Sequence, residues 1–462
     1  MTPGAHPGLL CPLRVSPLYH LVYRLNRLPS GLRYSLPRRF TRAGLVVLMA
    51  LALAGMLGVD TDNAVTYQAF VFLLCLLLVA VVGSCFFRVR FSASRSLPRF
   101  GTVGGPLAYS VQIQNLTRKT QADLTLLENL TDPRPTFAEW MAAYHAETRD
   151  LRSFRVGRRR RHPSPRLLTV KEAAVPAIPP GQSVEVRLEL LPQRRGPLRF
   201  TGLALARPDP LGLLRAFARI PLPQSVLILP RRYPVPPIPL PGTMKYQPGG
   251  VALAANVGQS DEFVSLRDYR QGDPLRHIHW RTWARAGKPV VKEFEDEFFV
   301  RHALLLDTFV DHPHNEAFEE AVSVAASFAC TVQTQESLLD LLFVGPDAYC
   351  FTAGRGLAHA DQMLEVLAAV RPCREHPFDA LGHLALEHAR VVSGCICVLL
   401  AWDQPRRLLV EQLKALGLPV LALVIVEAGK GRGLDPGPMA DDPARFHVLE
   451  VGQVEAGLAR LG

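Results

Sequence analysis

The stretch His302-Ala303-Leu304-Leu305-Leu306-Asp307 decides the fold of the C-terminal half of the chain. Its apolar residues run without alternation and end at an acid, which is typical of a strand buried on both faces. Further apolar strands follow, alternating with helices, and the strand Cys395 to Trp402 also ends at an acid, Asp403. Strands that alternate with helices predict an α/β domain with a parallel sheet, here within residues 250–462. Because binding sites lie at the carboxyl ends of such strands, Asp307 and Asp403 are candidate site residues.

A different pattern occupies residues 88–230, where apolar and polar side chains alternate. The run from Leu107 to Gln114 shows this period of two most clearly. Such alternation is typical of half-buried strands and predicts a β-sandwich-like, immunoglobulin-like domain. The next segment, residues 231–249, is crowded with proline, so it is expected to form an extended, semi-rigid linker between the two domains.

Two apolar runs precede the β-rich segment. Residues 43–59 and residues 69–87 contain no charged side chain. A helix needs about 20 apolar residues to cross the hydrocarbon core, with about 17 as the lower limit. The runs therefore predict a transmembrane helical hairpin over residues 43–87, after a basic N-terminal segment, 1–42. A helical hairpin buried inside a soluble protein is the alternative.

The charge is distributed unevenly along the chain. The net charge of +11 is the sum of +9 in residues 1–99, +12 in residues 100–249 and −10 in residues 250–462. Arginines flank both apolar runs on the outside, whereas Asp60 and Asp62 lie between them. By the positive-inside rule, both termini are cytoplasmic and the protein is expected to be a multi-pass protein of the inner membrane. The basic total thus reflects topology and gives no reason to expect a nucleic-acid partner.

One basic cluster lies inside the β-rich segment. It comprises Arg158, Arg159, Arg160 and Arg161. Three interpretations compete: a nucleic-acid patch, an exposed loop with no partner, or a surface that faces anionic lipid. Nucleic-acid patches usually interleave aromatic residues, and only Phe154 is close in sequence. Since the apolar runs lie just upstream, lipid contact or a plain loop is favoured.

The strongest motif in the chain lies within the stretch from Gly258 to Glu297. Its central part reads Leu266-Arg-Asp-Tyr-Arg-Gln-Gly-Asp-Pro-Leu-Arg-His-Ile-His-Trp280, followed by Ala284-Arg285 and by Val290-Val-Lys-Glu-Phe-Glu295. The candidate core residues of this motif are Arg267, Asp268, Tyr269, Gly272, Asp273, Arg276, Ile278, Trp280 and Arg285. Their alternating charges predict either an ion-paired structural network or a docking surface for a partner or an anion.

This motif closely resembles the signature of the bacterial "domain of unknown function 58" family. Two upstream motifs, Arg195-Gly196 and Asp209-Pro-Leu-Gly-Leu213, also resemble that family, as do the paired apolar runs. The resemblance implies a C-terminal domain like the von Willebrand factor A fold. It also implies two partners, a MoxR-type AAA+ ATPase and a transglutaminase-like membrane protein.

The implied fold often binds Mg²⁺ through Asp-x-Ser-x-Ser after its first strand. Here the matching stretch, Asp307-Thr-Phe-Val-Asp311, keeps the first acid but has Phe309 and Asp311 in the serine positions. Asp307, Asp311 and Asp403 therefore form a degenerate candidate metal site, and no cofactor is expected beyond a possible Mg²⁺.

Two functions follow from these observations. The leading one is a membrane-anchored, non-enzymatic adaptor that works with a MoxR-type ATPase. The alternative is a metal-dependent hydrolase that uses Asp307 with His312 and His314, since catalytic zinc usually has three protein ligands. The chain has no GxxxxGK[ST], HExxH or GxSxG motif, so the common nucleotide-binding, zinc-protease and serine-hydrolase signatures are absent from the sequence.

Overall fold

The computed structural model describes most of the chain outside its N-terminus. The described ranges are 36–57, 64–131, 168–236, 263–294 and 300–461, with gaps at 37, 88, 171, 272–274, 276–277, 311–314, 332–336, 346–347, 354–356, 375 and 432, together with Tyr19, Tyr23, Phe137 and Met141. The chain divides into two compact units. The first comprises Met1–Gly101, Gly105–Gln193 and Leu198–Val226, and the second comprises Thr102–Gly104, Arg194–Pro197 and Leu227–Gly462.

Two apolar helices open the described part of the first unit. Helix α1 is Arg42–Leu57 and helix α2 is Ala64–Cys85. Within α2, Val65–Cys85 is long and apolar enough to cross a membrane, whereas α1 is a shorter apolar helix. Helix α2 begins upstream of the apolar run because its backbone hydrogen bonds continue through polar residues. One helix thus weakly supports membrane association, and the two-span hairpin stays a prediction.

In the β-rich part of the chain, the described residues form nine strands in two sheets. Their bounds are β1 Phe91–Ser96, β2 Phe100–Thr102, β3 Leu107–Asn115, β4 Leu124–Leu130, β5 Leu168–Val170, β6 Ala173–Val175, β7 Ser183–Pro192, β8 Gly196–Pro208 and β9 Arg215–Leu229. The four-stranded sheet has the order β1-β3-β7-β5, and the five-stranded sheet has the order β2-β9-β8-β4-β6. Along β3, every second residue from Leu107 onward is buried, as the sequence alternation predicts.

Side chains of the two sheets contact each other inside the first unit. The rings of Tyr109 on β3 and Phe200 on β8 pack edge to face, with centroids 5.9 Å apart. Arg95 on β1 binds Glu128 on β4 through two hydrogen bonds, Nε to Oε1 at 3.2 Å and Nη2 to Oε2 at 2.8 Å. Tyr109 also donates its hydroxyl proton to Glu128 Oε1. A buried charged network therefore lies among apolar side chains.

The second unit alternates strands and helices. Its elements are β10 Phe263–Asp268, α3 Trp280–Ala286, β11 Val290–Phe294, β12 Val300–Leu306, α4 Glu316–Thr331, β13 Ser337–Val344, β14 Ala348–Ala353, α5 Leu357–Ala369, α6 Asp379–His388, β15 Gly394–Leu399, α7 Gln404–Ala415, β16 Val420–Val426, β17 Phe446–Glu450 and α8 Val454–Leu458. Strands β10 and β11 form a separate antiparallel pair.

A six-stranded sheet is the centre of the second unit. Its order is β14-β13-β12-β15-β16-β17, and its pairs are parallel except that β14 is antiparallel to β13. Numbered within the sheet, this is the doubly wound order 3-2-1-4-5-6. The predicted α/β content of this half is confirmed. The order reverses between β12 and β15, and the two candidate acids follow these two strands.

Candidate functional site

Asp307 follows the central strand β12 and is completely buried. Its Oδ1 accepts a hydrogen bond from the backbone N–H of Phe309 at 3.0 Å, and its Oδ2 accepts one from the N–H of Leu400 at 3.0 Å. Leu400 directly follows β15, so the carboxylate joins the ends of two neighbouring strands. Asp307 therefore lies at the switch point of the sheet, where doubly wound domains bind their ligands.

Arg406 places its guanidinium between the two candidate acids. Its Nε donates to Asp307 Oδ2 at 2.7 Å, and its Nη1 donates to Asp403 Oδ2 at 2.6 Å. The same group stacks over the ring of Phe378, 4.6 Å from the ring centroid. The two acids thus come together, as their positions at strand ends predicted, but a cationic side chain lies between them.

The local sequence explains why Arg406 points to this edge. Asp403 is the N-cap residue of α7 and accepts a hydrogen bond from the backbone N–H of Arg406, while Pro405 occupies the first turn. An acidic cap followed by proline fixes the start of a helix. Since Arg406 lies three residues after the cap, the first turn of α7 directs it back toward the ends of the central strands.

The electrostatic surroundings keep Arg406 charged. Burial lowers the pKa of the Arg406 guanidinium, but Asp307 and Asp403 raise it more, and the net direction is upward. A buried cation is costly unless anionic partners and hydrogen bonds compensate it. Here two carboxylates do so, and only 9% of the Arg406 side chain is exposed.

The described residues do not fit a magnesium ion at this position. Asp307 and Asp403 both bind Arg406, and the hydroxyl of Thr308 donates to the carbonyl of Val344 at 2.6 Å. Among the residues that the structure describes, no group of three or more His, Cys, Asp or Glu side chains could hold a metal ion. Asp311, the third predicted ligand, lies outside the described residues, as do His312 and His314.

Sequence reasoning missed Arg406 as a site residue. A lone arginine in a helix is usually solvent-exposed, so it does not stand out as a site residue. The available signal was its spacing, an arginine three residues after an acid that ends a strand, with a proline between them. That spacing predicts an i, i+3 pair, and the pairing with Asp307 needs the additional knowledge that β12 and β15 are neighbours.

The family motif forms the antiparallel pair β10–β11 with the short helix α3 between them. The backbone N–H of Tyr269 donates to the carbonyl of Pro289 at 3.0 Å. Ile278 is buried and bridges to Val291 of β11. These two motif residues therefore have structural roles that hold the connection onto the strand pair. Gly272, Asp273 and Arg276 lie outside the described residues.

The charged motif residues are largely on the surface. Asp268 pairs with Lys288 at 2.8 Å, and both side chains are more than half exposed. Arg267 donates to the backbone carbonyl of Asp268 at 3.2 Å, and Arg285 is exposed on α3. Surface pairs of this kind contribute about 0–1 kcal/mol, so the Asp268–Lys288 pair adds little to stability.

Apolar side chains of the motif are also exposed. Trp280 is 63% exposed and stacks on Trp283, with ring centroids 5.2 Å apart. Leu275 is 68% exposed and Leu266 is 39% exposed. Because tryptophan is enriched in protein–protein interfaces, Trp280 makes this part of the motif a candidate contact surface.

The family comparison bears on this same stretch. Residues 265–420 match the family described as "Protein of unknown function DUF58". This region belongs to the DUF58 family. A relative, "Uncharacterized protein YeaD" of Bacillus subtilis (strain 168), is 28% identical over 224 residues. That alignment covers 46% of this chain and 54% of the relative, so the match spans about half of the relative's length.

Solved structures give only weak likenesses. The CARDB domain of a Pyrococcus furiosus protein is 9% identical, over 30% of this chain and 93% of that chain, with a TM-score of 0.16. A cohesin module from a Clostridium perfringens family 33 glycoside hydrolase is 13% identical, over 30% of this chain and 98% of that chain, also with a TM-score of 0.16. Scores this low carry no argument about fold or function.

Proposed function

We propose that the chain is a membrane-anchored adaptor. Its DUF58 region would form part of a cytoplasmic von Willebrand A-like domain that recruits a partner protein, with a MoxR-type AAA+ ATPase as that partner. A transglutaminase-like membrane protein is the second expected neighbour. The apolar helix α2 supports the anchor, and the doubly wound sheet with Asp307 after its first strand supports the domain assignment.

The exposure of Trp280 is the observation that carries the adaptor proposal. A tryptophan buried by a partner often dominates the binding energy of an interface. Leu275 and Leu266 are exposed apolar residues of the same motif. Together with Trp280, they define what we call the motif surface.

The carboxyl edge of the sheet supports an interaction that does not depend on a metal. Asp307 accepts three hydrogen bonds, and the Arg406 guanidinium neutralises it. A metal-dependent hydrolase would need this carboxylate as a ligand. None of the described contacts favours that alternative, because the Asp307 carboxylate is already paired with the Arg406 guanidinium.

The membrane topology is part of the same proposal. We place both spans in the inner membrane, with both termini in the cytoplasm, so that the DUF58 region meets a cytoplasmic ATPase. The cluster Arg158–Arg161, which lies outside the described residues, would then face anionic lipid. A reporter fused after Gly462 should behave as cytoplasmic, and a periplasmic signal from it would overturn this orientation.

Co-purification tests the adaptor proposal. The tagged full-length protein is isolated from membranes in mild detergent, and co-purifying ATPases are quantified against an unrelated tagged membrane protein. Trp280→Ala removes the centre of the motif surface, and Leu416→Ala, at a residue 56% exposed outside the motif, is the matched control.

We expect a MoxR-type ATPase to be enriched with the parent and with Leu416→Ala. Its recovery should fall about tenfold or more with Trp280→Ala, since a central interface tryptophan contributes about 2 kcal/mol or more. If no ATPase is enriched over the control membrane protein, the partner is wrong. If all three proteins recover the ATPase equally, the motif surface is not the docking site.

A further inference from the structure

The turn between β8 and β9, residues Asp209–Leu214, packs against both apolar helices of the first unit. Leu213 and Leu214 share one buried apolar cluster with Leu77 and Ala80 of α2. Side chains of α1 pack against the same cluster, namely Val47, Leu48 and Leu51. We call the six-residue turn Asp209–Leu214 the wedge turn.

The start of α1 is bonded directly to the wedge turn. The backbone N–H of Thr41 donates to the carbonyl of Leu213 at 3.0 Å, and its hydroxyl donates to the carbonyl of Gly212 at 2.6 Å. Gly44 lies so close to Leu213 that a Cβ atom would overlap its carbonyl oxygen. Phe40 and Leu214 add an antiparallel β-bridge. This close backbone contact therefore requires glycine at position 44.

The contact of the wedge turn with α2 lies well before the end of the apolar helix. The apolar helix segment ends at Cys85. Leu77 lies eight residues earlier, which corresponds to about 12 Å along the helix axis. If α2 spans the bilayer, as the proposed function requires, the leucines that pack against Leu77 lie inside the hydrocarbon boundary.

Four backbone N–H groups of the wedge turn have partners within the turn itself. The Asp209 carboxylate accepts hydrogen bonds from the N–H groups of Leu211 at 3.0 Å and Leu214 at 2.6 Å. The N–H of Asp209 donates to the Leu214 carbonyl, and the N–H of Gly212 donates to the Asp209 carbonyl. Pro210 has no N–H. Non-helical backbone at membrane depth is tolerated only where its polar groups find partners within the protein.

The tip of the turn is apolar and exposed. Leu211 is 45% exposed, and Phe86, directly after α2, is 80% exposed. Pro210 contacts Gly83 near the end of α2, with its Cδ 3.3 Å from the position of a Gly83 Cβ. The tip thus continues the apolar surface of α2 at the end nearer the β-rich part.

We propose that the wedge turn inserts into the membrane beside α1 and α2, with Leu211 in contact with lipid at the boundary between headgroups and acyl chains. The motif Asp209-Pro-Leu-Gly-Leu213 then has a physical role: it bonds four backbone N–H groups within the turn, contacts both helices and presents an apolar tip. This inference rests on the proposed membrane anchor and adds that the β-rich part itself enters the bilayer.

Tryptophan quenching in proteoliposomes tests the depth of the tip. The full-length protein carrying Leu211→Trp is reconstituted into phosphatidylcholine–phosphatidylglycerol vesicles, with or without phosphatidylcholine brominated in the upper acyl chain. The control is Leu191→Trp on β7, at a residue 40% exposed. The sheet register pairs Leu190 with Leu107, whereas Phe91, near the end of α2, pairs with Asn115, so Leu191 lies at the opposite end of that sheet.

The signal is the fluorescence added over the parent, which has four tryptophans of its own. We expect bromolipid to reduce the added fluorescence at least twofold for Leu211→Trp and to leave that of Leu191→Trp unchanged. Pro210→Trp, at an exposed residue of the same turn, is a second probe, which keeps the test open if Leu211→Trp does not fold. Unquenched fluorescence at both positions 211 and 210 would overturn the wedge.

Alkaline carbonate extraction separates this result from failure of the anchor. If carbonate releases the parent protein from native membranes, the proposed membrane anchor is wrong and the wedge falls with it. If the parent stays in the membrane and the added tryptophans remain unquenched, the anchor stands and the wedge alone is wrong.

Discussion

A buried arginine–carboxylate pair in the first unit and another in the second have the same chemistry but different surroundings. Arg95 and Glu128 lie between the two sheets of the first unit, and neither side chain is exposed. Arg406 and Asp307 lie at the carboxyl edge of the second unit's sheet, where Arg406 also reaches Asp403, whose side chain is 46% exposed. The first pair is sealed on all sides, and the second opens toward solvent through its third member.

The difference teaches what each pair contributes. A sealed pair contributes little net stability, because desolvation offsets the attraction, but it penalises any arrangement that separates the two charges. It therefore fixes how the two sheets meet. The Arg406–Asp307 pair lies at the edge where doubly wound domains bind ligands, and its third member, Asp403, is partly exposed there. Substitutions in the Arg95–Glu128 pair should therefore have different consequences from substitutions in the Arg406–Asp307 pair.

The largest effect should come from leaving Arg95 alone in the interior. Glu128→Ala removes its carboxylate partner, and breaking a buried pair in this way costs about 3–5 kcal/mol. We expect a correspondingly large drop in unfolding temperature or loss of folded protein, measured by thermal unfolding of the full chain in detergent.

Removing the whole network is the matched control. The triple variant Arg95→Met/Glu128→Leu/Tyr109→Phe removes the three polar partners together. The Leu222 carbonyl and Gln224 lose their bonds from Arg95, but both residues are partly exposed. Replacing a buried ion pair by apolar residues in this way is often neutral or stabilising. We expect the triple variant to be far more stable than Glu128→Ala. If Glu128→Ala alone matches the parent, the pair is not buried as described.

A smaller loss should follow from Asp307→Asn. The amide oxygen still accepts a backbone hydrogen bond, but the charged bond to Arg406 is lost, which costs about 1.5–3 kcal/mol. Asp435→Asn, at an exposed partner of Arg407, is the control and should change the free energy of unfolding by about 0.5 kcal/mol or less. Equal losses in the two variants would show that the Asp307 pair is energetically no different from a surface pair.

Asp403 should contribute mainly as a helix cap. Asp403→Ala is expected to cost about 1 kcal/mol, the usual value for an N-cap. Asp403→Asn keeps the cap and loses the charge, so most of that stability should remain. If Asn and Ala lose the same amount in urea unfolding, the charge toward Arg406 matters more than the cap.

The smallest expected effect is the pH dependence of the sealed pair. Burial raises the pKa of Glu128, and Arg95 and Tyr109 offset this only in part. The folded protein therefore binds the Glu128 proton more tightly than the unfolded chain does. The stabilisation that comes from this proton is complete below the unfolded pKa, near 4.5, and is lost as the pH rises through the folded pKa. As the pH rises from 4, the free energy of unfolding of the parent should therefore fall relative to that of Glu128→Gln. A shift in its favour would contradict this direction.

Local patterns in the sequence predicted the elements better than their contacts. The unbroken apolar run before Asp307 predicted a buried strand, and the alternation after Leu107 predicted a half-buried one, because each depends only on neighbouring residues. The Arg95–Glu128 pair depends on how two sheets meet, and the Arg406–Asp307 pair depends on the crossover that puts β12 beside β15. No short stretch of sequence contains both partners of either pair with the information that brings them together, so the sequence did not predict these two contacts.

The grip of the wedge turn on α1 shows the same limit. The motif Asp209-Pro-Leu-Gly-Leu213 was visible as a resemblance, but its partners Thr41 and Gly44 lie about 170 residues earlier in the chain. A glycine in an apolar helix is common, so nothing in the sequence marks Gly44 as a contact. Only the packing shows that a side chain there would meet the Leu213 carbonyl.

A magnesium titration most directly tests the claim that Arg406 takes the place of a cation at the carboxyl edge. The unfolding temperature of the detergent-solubilised full chain is measured in EDTA and then in rising Mg²⁺, for the parent and for Asp307→Asn. A ligand that binds only the folded state at 100 times its Kd stabilises it by about 2.7 kcal/mol, which is easily detected. We expect no saturable rise in the parent. A saturable rise that Asp307→Asn abolishes would contradict the claim and return Asp307 to the role of a metal ligand.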